Sequence, residues 1–273
     1  FRSLLVGGAL ALAGAVMQGV FSNPLADPGI MGVSAGASLG AVIAIALGFT
    51  SLGMFYMPTF AFVGAFVSVG ITILLTLRNN KLDTTTLLLA GVAVSMLLGA
   101  FTSGILTMIN EYRLREFLFW MVGGLDFRRW DHVLLAVGPI MTGSVILMML
   151  GRHLNVLVLG DTEARALGVP VMVYRMLFLF LSSVITATAV CVSGSIGFVG
   201  LVVPHIVRLL VGPDHRILLP MAAIGGALFL VFCDTLGRVV AQPVEIRVGI
   251  MTALLGAPYF LYLLHRLRSK GGA

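Results

Sequence analysis

Fifty consecutive residues, Pro28 to Leu77, contain no Asp, Glu, Lys or Arg. One bilayer crossing needs roughly 20 apolar residues, so this stretch is too long for one crossing and suits two. The break between them is expected around Phe49–Met54. Other uncharged runs occupy Leu4–Val20, Thr84–Asn110, Val133–Gly151, Met176–Val207, Ile217–Cys233 and Val248–Leu264. Dividing Met176–Val207 at Ser193–Gly200 predicts nine spans in an all-α polytopic membrane protein. A content of 59% hydrophobic and 10% charged residues excludes a soluble domain of this length. Residues 1–273, with no linker or low-complexity segment, read as one transmembrane domain.

The segment Asn23-Pro-Leu-Ala-Asp-Pro-Gly-Ile-Met-Gly-Val-Ser-Ala-Gly36 interrupts this oily sequence with prolines, glycines and an acid. Irregular backbone at membrane depth needs protein or a water-filled cavity to satisfy its freed polar groups, which points to a transport pathway. Gln18, Met17, Ser34, Ser38 and Ser95 are placed either to face such a pathway or to bond between helices. Glycines along the runs, among them Gly7, Gly14, Gly36, Gly40, Gly64 and Gly226, are expected to let helix backbones approach closely.

A net charge of +6 would suit nucleic acid in a soluble protein, but here the 15 Arg and 2 Lys sit between apolar runs as topology signals. No nucleic-acid partner is expected; membrane lipid is. Placing the Arg78–Lys81, Arg152–Arg175, Arg208–Arg216 and Arg266–Lys270 segments in the cytoplasm puts 10 Lys/Arg inside and 7 outside. Residue 1 then lies outside, and one further span is expected before it. Cys191 and Cys233 lie in apolar runs and read as packed core. His205 follows Pro204 and reads as a structural histidine at a helix start; no metal or cofactor site is expected.

Two connections stand out. Asn110–His132 carries four Arg, four acids, Phe117, Trp120, Phe127 and Trp130, as an amphipathic element at the outer interface would. Leu159–Val169 reads as a short helix capped by Asp161 or Thr162, with Glu163 in its first turn and Gly168 and Pro170 ending it. Asp234 is the acid inside an apolar span. Arg238 stands four residues later on the same face, and the two suit an internal pair. Asp83, Thr84 and Thr85 suit a helix cap.

Gly14-Ala-Val-Met-Gln-Gly19, Asn23-Pro-Leu-Ala-Asp-Pro-Gly29, Leu87-Leu-Leu-Ala-Gly-Val-Ala93, Gly160–Val169, Gly194–Arg208 and Leu254-Leu-Gly-Ala-Pro-Tyr259 follow one another along nearly the whole chain. In these segments the protein resembles the permease subunits of binding-protein-dependent, ATP-driven type II importers of iron chelates, haem and cobalamin. The resemblance implies a ten-span fold, about nine spans of which are in this chain, in the cytoplasmic (inner) membrane of a prokaryote. It also implies a second permease copy, two ATPase subunits, an extracytoplasmic substrate-binding protein and a metal-chelate substrate moved by alternating access.

By the same resemblance, Gly160, Asp161, Glu163, Arg165, Leu167 and Gly168 form the helix that couples to the ATPase. Thr84 and Thr85 form a cytoplasmic gate, Thr85 replacing a serine common in relatives. Arg238 and Arg247 dock the binding protein. Arg247 stands where relatives usually carry proline, and it either adds a docking charge or pairs with Glu245. The chain itself is expected to be non-catalytic: Lys81 and Lys270 are its only lysines and neither follows glycine, so no phosphate-binding loop can form. ATP and Mg²⁺ are therefore expected on the separate ATPase. An ion-coupled secondary transporter is the alternative, with Asp234 as its one intramembrane carboxylate.

Overall fold

The computed structural model describes residues 1–78, 81–82, 84–125 and 130–270. They form α1 (Arg2–Val20), α2 (Val33–Ala46), α3 (Tyr56–Thr76), α4 (Thr84–Leu106), α5 (Glu111–Met121), α6 (Trp130–Met149), α7 (Gly151–Val158), α8 (Asp161–Ala166), α9 (Val171–Ser193), α10 (Val199–Val211), α11 (His215–Val239) and α12 (Val248–Lys270). Each apolar run carries a helix, and the break expected near Phe49–Met54 is a 3-10 turn at Phe49–Ser51. The fold is all-helical as expected, and the connection from α3 to α4 carries a two-residue ladder of β1 (Leu77–Arg78) with β2 (Lys81–Leu82).

By length and composition, α1, α3, α4, α9 and α11 can each cross a bilayer, and α6 with α7, bent by 57°, makes a sixth. The other three apolar helices are shorter. The 14 residues of α2 rise about 21 Å, less than the ~30 Å hydrocarbon core. Among the described residues, five or six helices thus have full-span length, and the shorter apolar helices α2, α10 and α12 stand where the other expected spans lie. α2 and α10 each follow a stretch of irregular chain.

That irregular chain is satisfied by protein. Asn23 Oδ1 accepts from the Leu25 N–H at 2.9 Å and Asp27 Oδ1 from the Gly29 N–H at 2.7 Å, which caps the 3-10 turn Pro28–Met31. The Met31 carbonyl takes a hydrogen bond from Thr72 Oγ1 of α3 at 3.2 Å. Gly32, at φ +84°, then turns the chain into α2.

α1 is the central element. Over its span 83% of residues are buried, and it packs on α9, α10 and α11. Its apolar residues run all the way round, as a helix enclosed by others requires. Association in lipid depends on close packing rather than on expulsion of water. The contacts are accordingly backbone to backbone: a Cβ on Gly7 would fall on the Gly226 carbonyl oxygen, and one on Gly226 on that of Gly7. Gly14 meets the Gly200 carbonyl in the same way, and Gly36 and Gly64 join α2 to α3 reciprocally. In contrast, α4 is 17% buried over its span and leaves Leu89, Met96, Leu97 and Phe101 exposed.

The connection predicted as an interfacial element is α5, whose N-terminus is capped by Asn110 Oδ1 accepting from the Arg113 N–H. Phe117 and Trp120 do not lie at the interface: both are buried, because α5 folds back onto the bundle. Trp130 is exposed against Phe1, and Phe127 lies outside the described residues. The two cysteines are buried and free, as expected of core residues.

The glycine contacts can be tested directly. Gly14→Ala should cost about 1–3 kcal/mol through overpacking and lower the unfolding temperature of the detergent-solubilised protein. Gly70→Ala, with no atom within 4 Å of its new methyl, should not lower it. Equal effects at the two positions would refute backbone contact as what holds α1.

Candidate functional site

Chain direction separates two ends. One gathers the C-terminus of α1, the β1–β2 turn, α7, α8 and the start of α11; the other gathers Phe1, α5, the end of α11 and the start of α12. By the charge bias the first is cytoplasmic.

At the cytoplasmic end, α8 is a six-residue helix between two glycines in left-handed backbone, Gly160 at φ +118° and Gly168 at φ +77°. The expected side-chain cap is not made. Gly160 occupies the cap position and Asp161 is the first helical residue, its carboxylate engaged by Arg175 of α9 at 2.7 Å and more loosely by Arg165 at 3.6 Å. Gly168 ends the helix as predicted, with its N–H on the Arg165 carbonyl and the Val169 N–H on that of Ala164. Ala164 is fully buried, whereas Glu163, Arg165 and Leu167 face outward. Leu159, Leu167 and Val173, in and beside α8 along the chain, are exposed apolar side chains.

A second tie fixes α7 beside α8. Asn155 donates to Asp214 Oδ1 at 2.7 Å and accepts the His215 N–H at 2.9 Å, joining α7 to the start of α11. The Asp214 carboxyl is held below the ordinary carboxylate range, first by the Arg216 backbone N–H and then by the Asn155 amide. Thr84 and Thr85 open α4 at this same end, Thr84 half-buried and Thr85 exposed. Asp83 lies outside the described residues.

At the opposite end, Arg238 pairs with Asp234 at 3.3 Å and with Glu245 at 3.7 Å, and Ser3 Oγ donates to Asp234. The internal pair expected of Asp234 is present, and Arg238 keeps 44% of its side chain exposed. Arg247 does not pair with Glu245. Its guanidinium donates to the Phe119 carbonyl at 2.6 Å and stacks 4.6 Å over the Phe119 ring. Arg247 and Glu245 line a cleft of ≈ 680 Å³ together with Arg115, Phe119, Val244 and Ile250.

Of the polar side chains considered for the pathway, Gln18 is a structural bridge. It donates to the Gly200 and Leu201 carbonyls and accepts from Arg208 at 2.8 Å, tying α1 to α10. Met17 is fully buried against Ser182. His205 lies in mid-helix rather than at a helix start, beside Tyr259, and no cluster of three or more His, Cys, Asp or Glu exists among the described residues. Arg175 escaped the sequence reading. An arginine directly at the edge of a long apolar run was the available signal, since such a charge needs a partner.

An enclosed glycine-packed helix, a charged loop helix at one end and an arginine-bearing cleft at the other define a polytopic transport permease. The chain belongs to the FecCD transport family, whose model matches residues 2–266. It is 48% identical over 260 residues to the cobalamin import system permease protein BtuC of Halobacterium salinarum, covering 95% of this chain and 69% of that protein. It is 45% identical over 274 residues to the hemin transport system permease protein HmuU of Yersinia pestis, covering 98% and 81%. A solved structure described as an inward-facing conformation of a metal-chelate type ABC transporter superposes with a TM-score of 0.91 at 36% identity, covering 97% of this chain and 84% of that one. The protein is thus a multi-pass permease of an ATP-binding-cassette importer in the cytoplasmic membrane. The ion-coupled alternative gains no support from these relatives.

Replacing Gln18 by Leu should leave two carbonyls and the Arg208 guanidinium short of a partner, costing about 1–3 kcal/mol. Thermal unfolding of Gln18→Leu beside wild type measures this, and an unchanged midpoint would show that the bridge does not hold α1 to α10.

Proposed function

We propose that this permease works as one unit, residues 1–273 with the span that precedes them in relatives, paired with a second copy around a central pathway. Two ATPase subunits bind the cytoplasmic end and hold ATP and Mg²⁺. A loaded binding protein docks at the other end, and the cargo is a metal chelate of the iron-siderophore, haem or cobalamin kind. Relatives named for cobalamin and hemin transport support that cargo class. The poorly buried α4, with its row of exposed apolar side chains, suits the face toward the second copy and the pathway.

The observation that carries the coupling role is α8: an outward set of Glu163, Arg165 and Leu167 on a helix whose other side is buried at Ala164. Exposed apolar groups rimmed by charge are what a protein partner recognises. Gly160 and Gly168 set the direction in which that set faces, and Asp161 belongs to the same helix. At the entrance of α4, Thr84 and Thr85 serve as the gate: small hydroxyl side chains narrow a passage without placing a desolvated charge in it. On the outer end, Arg238 and Arg247 offer positive charge to acidic groups of the binding protein, Arg238 through its exposed face and Arg247 from its perch on Phe119.

The test is uptake into proteoliposomes holding the full-length permease, its cognate ATPase and binding protein, with ferric siderophore, haemin and cyanocobalamin offered separately. ATP-dependent accumulation of one of them should fall about tenfold, equivalent to about 1.4 kcal/mol of lost coupling, in the double variant Glu163→Ala/Arg165→Ala. Uptake unaffected by the double variant would remove α8 from the coupling role, and uptake without the ATPase would refute the importer scheme.

A further inference from the structure

Within α8 one charged residue is tied back to the membrane helices. Glu163 and Arg165 look outward, but the Asp161 carboxylate receives both terminal nitrogens of Arg175, at 2.7 and 3.4 Å. Arg175 is 8% exposed and sits in the first turns of α9. A guanidinium so deeply placed needs partners, and the Asp161 carboxylate supplies two of its contacts.

The glycines at both ends of α8 give this pair mechanical weight. Gly160 and Gly168 occupy left-handed backbone, and nothing lies within 4 Å of where a Gly168 Cβ would stand. Seven residues between two such joints, six of them helical, have little stiffness of their own. Among the contacts that fasten α8 to the bundle are the buried methyl of Ala164 and the Asp161–Arg175 clamp. α9, in turn, is 78% buried over its span and packs on α1, α3 and α6. A load applied to α8 that does not pass through the clamp is absorbed by rotation at the glycines.

We propose that Arg175 is a positioning residue for transport: it locks α8 to α9 through Asp161, so that movement of the outward face of α8 is delivered to the membrane helices. This rests on the coupling role proposed for α8. It also moves Asp161 from the surface that meets the ATPase to the permease's own side of the joint. Glu163, Arg165 and Leu167 receive the push, and Asp161 and Arg175 hand it on.

The experiment compares Arg175→Gln, Arg175→Lys, Asp161→Asn and the double variant Asp161→Asn/Arg175→Gln in the reconstituted permease–ATPase–binding-protein system. Uptake of whichever of ferric siderophore, haemin or cyanocobalamin the wild type accumulates is divided by ATP hydrolysed. Amide hydrogen exchange across residues 161–168 is followed in the same preparations, which reads the clamp independently of cargo. The expected result is a tenfold or greater fall in uptake per ATP for Arg175→Gln and for Asp161→Asn, with the ATPase still co-purifying. Arg175→Lys, which can reach one carboxylate oxygen, should be intermediate. The double variant should be no worse than either single change, as for two residues acting through one contact. Exchange across α8 should quicken severalfold in all but the lysine variant.

A wild-type ratio of uptake to hydrolysis, losses that multiply in the double variant, or unchanged exchange would overturn the proposal. If Arg175→Gln does not fold, Asp161→Asn alters the clamp from its more exposed side and decides alone. Normal uptake in Glu163→Ala/Arg165→Ala would sink the coupling role and this proposal together. Loss of uptake there with normal Arg175 and Asp161 variants would sink this proposal alone.

Discussion

Close backbone contact around α1 is the condition on which the other features depend. In water, a helix of Gly, Ala and Val would be recruited by hydrophobic burial, but lipid offers no such preference. What remains is dispersion over short distances and hydrogen bonds that find no competitor. Gly7 against Gly226 and Gly14 against Gly200 bring backbones together where any side chain would hold them apart. The Gln18–Arg208 bridge then fixes rotation about the same axis. With α1 set between α9, α10 and α11, the cytoplasmic ends of α9 and α11 are positioned, and these carry Arg175 and the Asp214 anchor for α7.

The two ends of the bundle solve different electrostatic problems. At the cytoplasmic end, polar side chains are paired across elements, Asp161 with α9 and Asp214 with α7, so the short helices α7 and α8 are held at set positions against α11 and α9. At the other end Arg238 is shared between two acids and Arg247 rests on a carbonyl and an aromatic face. Both arginines are held in place, and Arg238 keeps 44% of its side chain exposed. The first arrangement suits transmission of force, the second suits recognition of a charged surface.

The apolar runs were legible because a missing charge over 17 or more residues has few physical meanings, and each run did become a helix. The end of α8 was legible too, since glycine and proline punctuate a helix by local sterics. What escaped was decided by partners far away in the chain. Arg247 was weighed against Glu245, two residues away, yet it binds Phe119, 128 residues away. Phe117 and Trp120 have the composition of an interfacial belt, and only the fold-back of α5 buries them. Asp161 fits the local pattern of a cap, but a guanidinium 14 residues on competes for it successfully. Sequence periodicity reports local geometry, and these outcomes are tertiary.

The enclosure of α1 also bears on how the protein is made. Its neighbours α9, α10 and α11 all belong to the later part of the chain. Synthesis proceeds at about 5–20 residues per second, so roughly 200 residues of further translation separate α1 from its last neighbour by about 10–40 s. During that interval a glycine-rich helix suited to protein walls is without them. Biogenesis must therefore shelter α1, at the insertion machinery or against α2 and α3, until the second half of the chain arrives to enclose it.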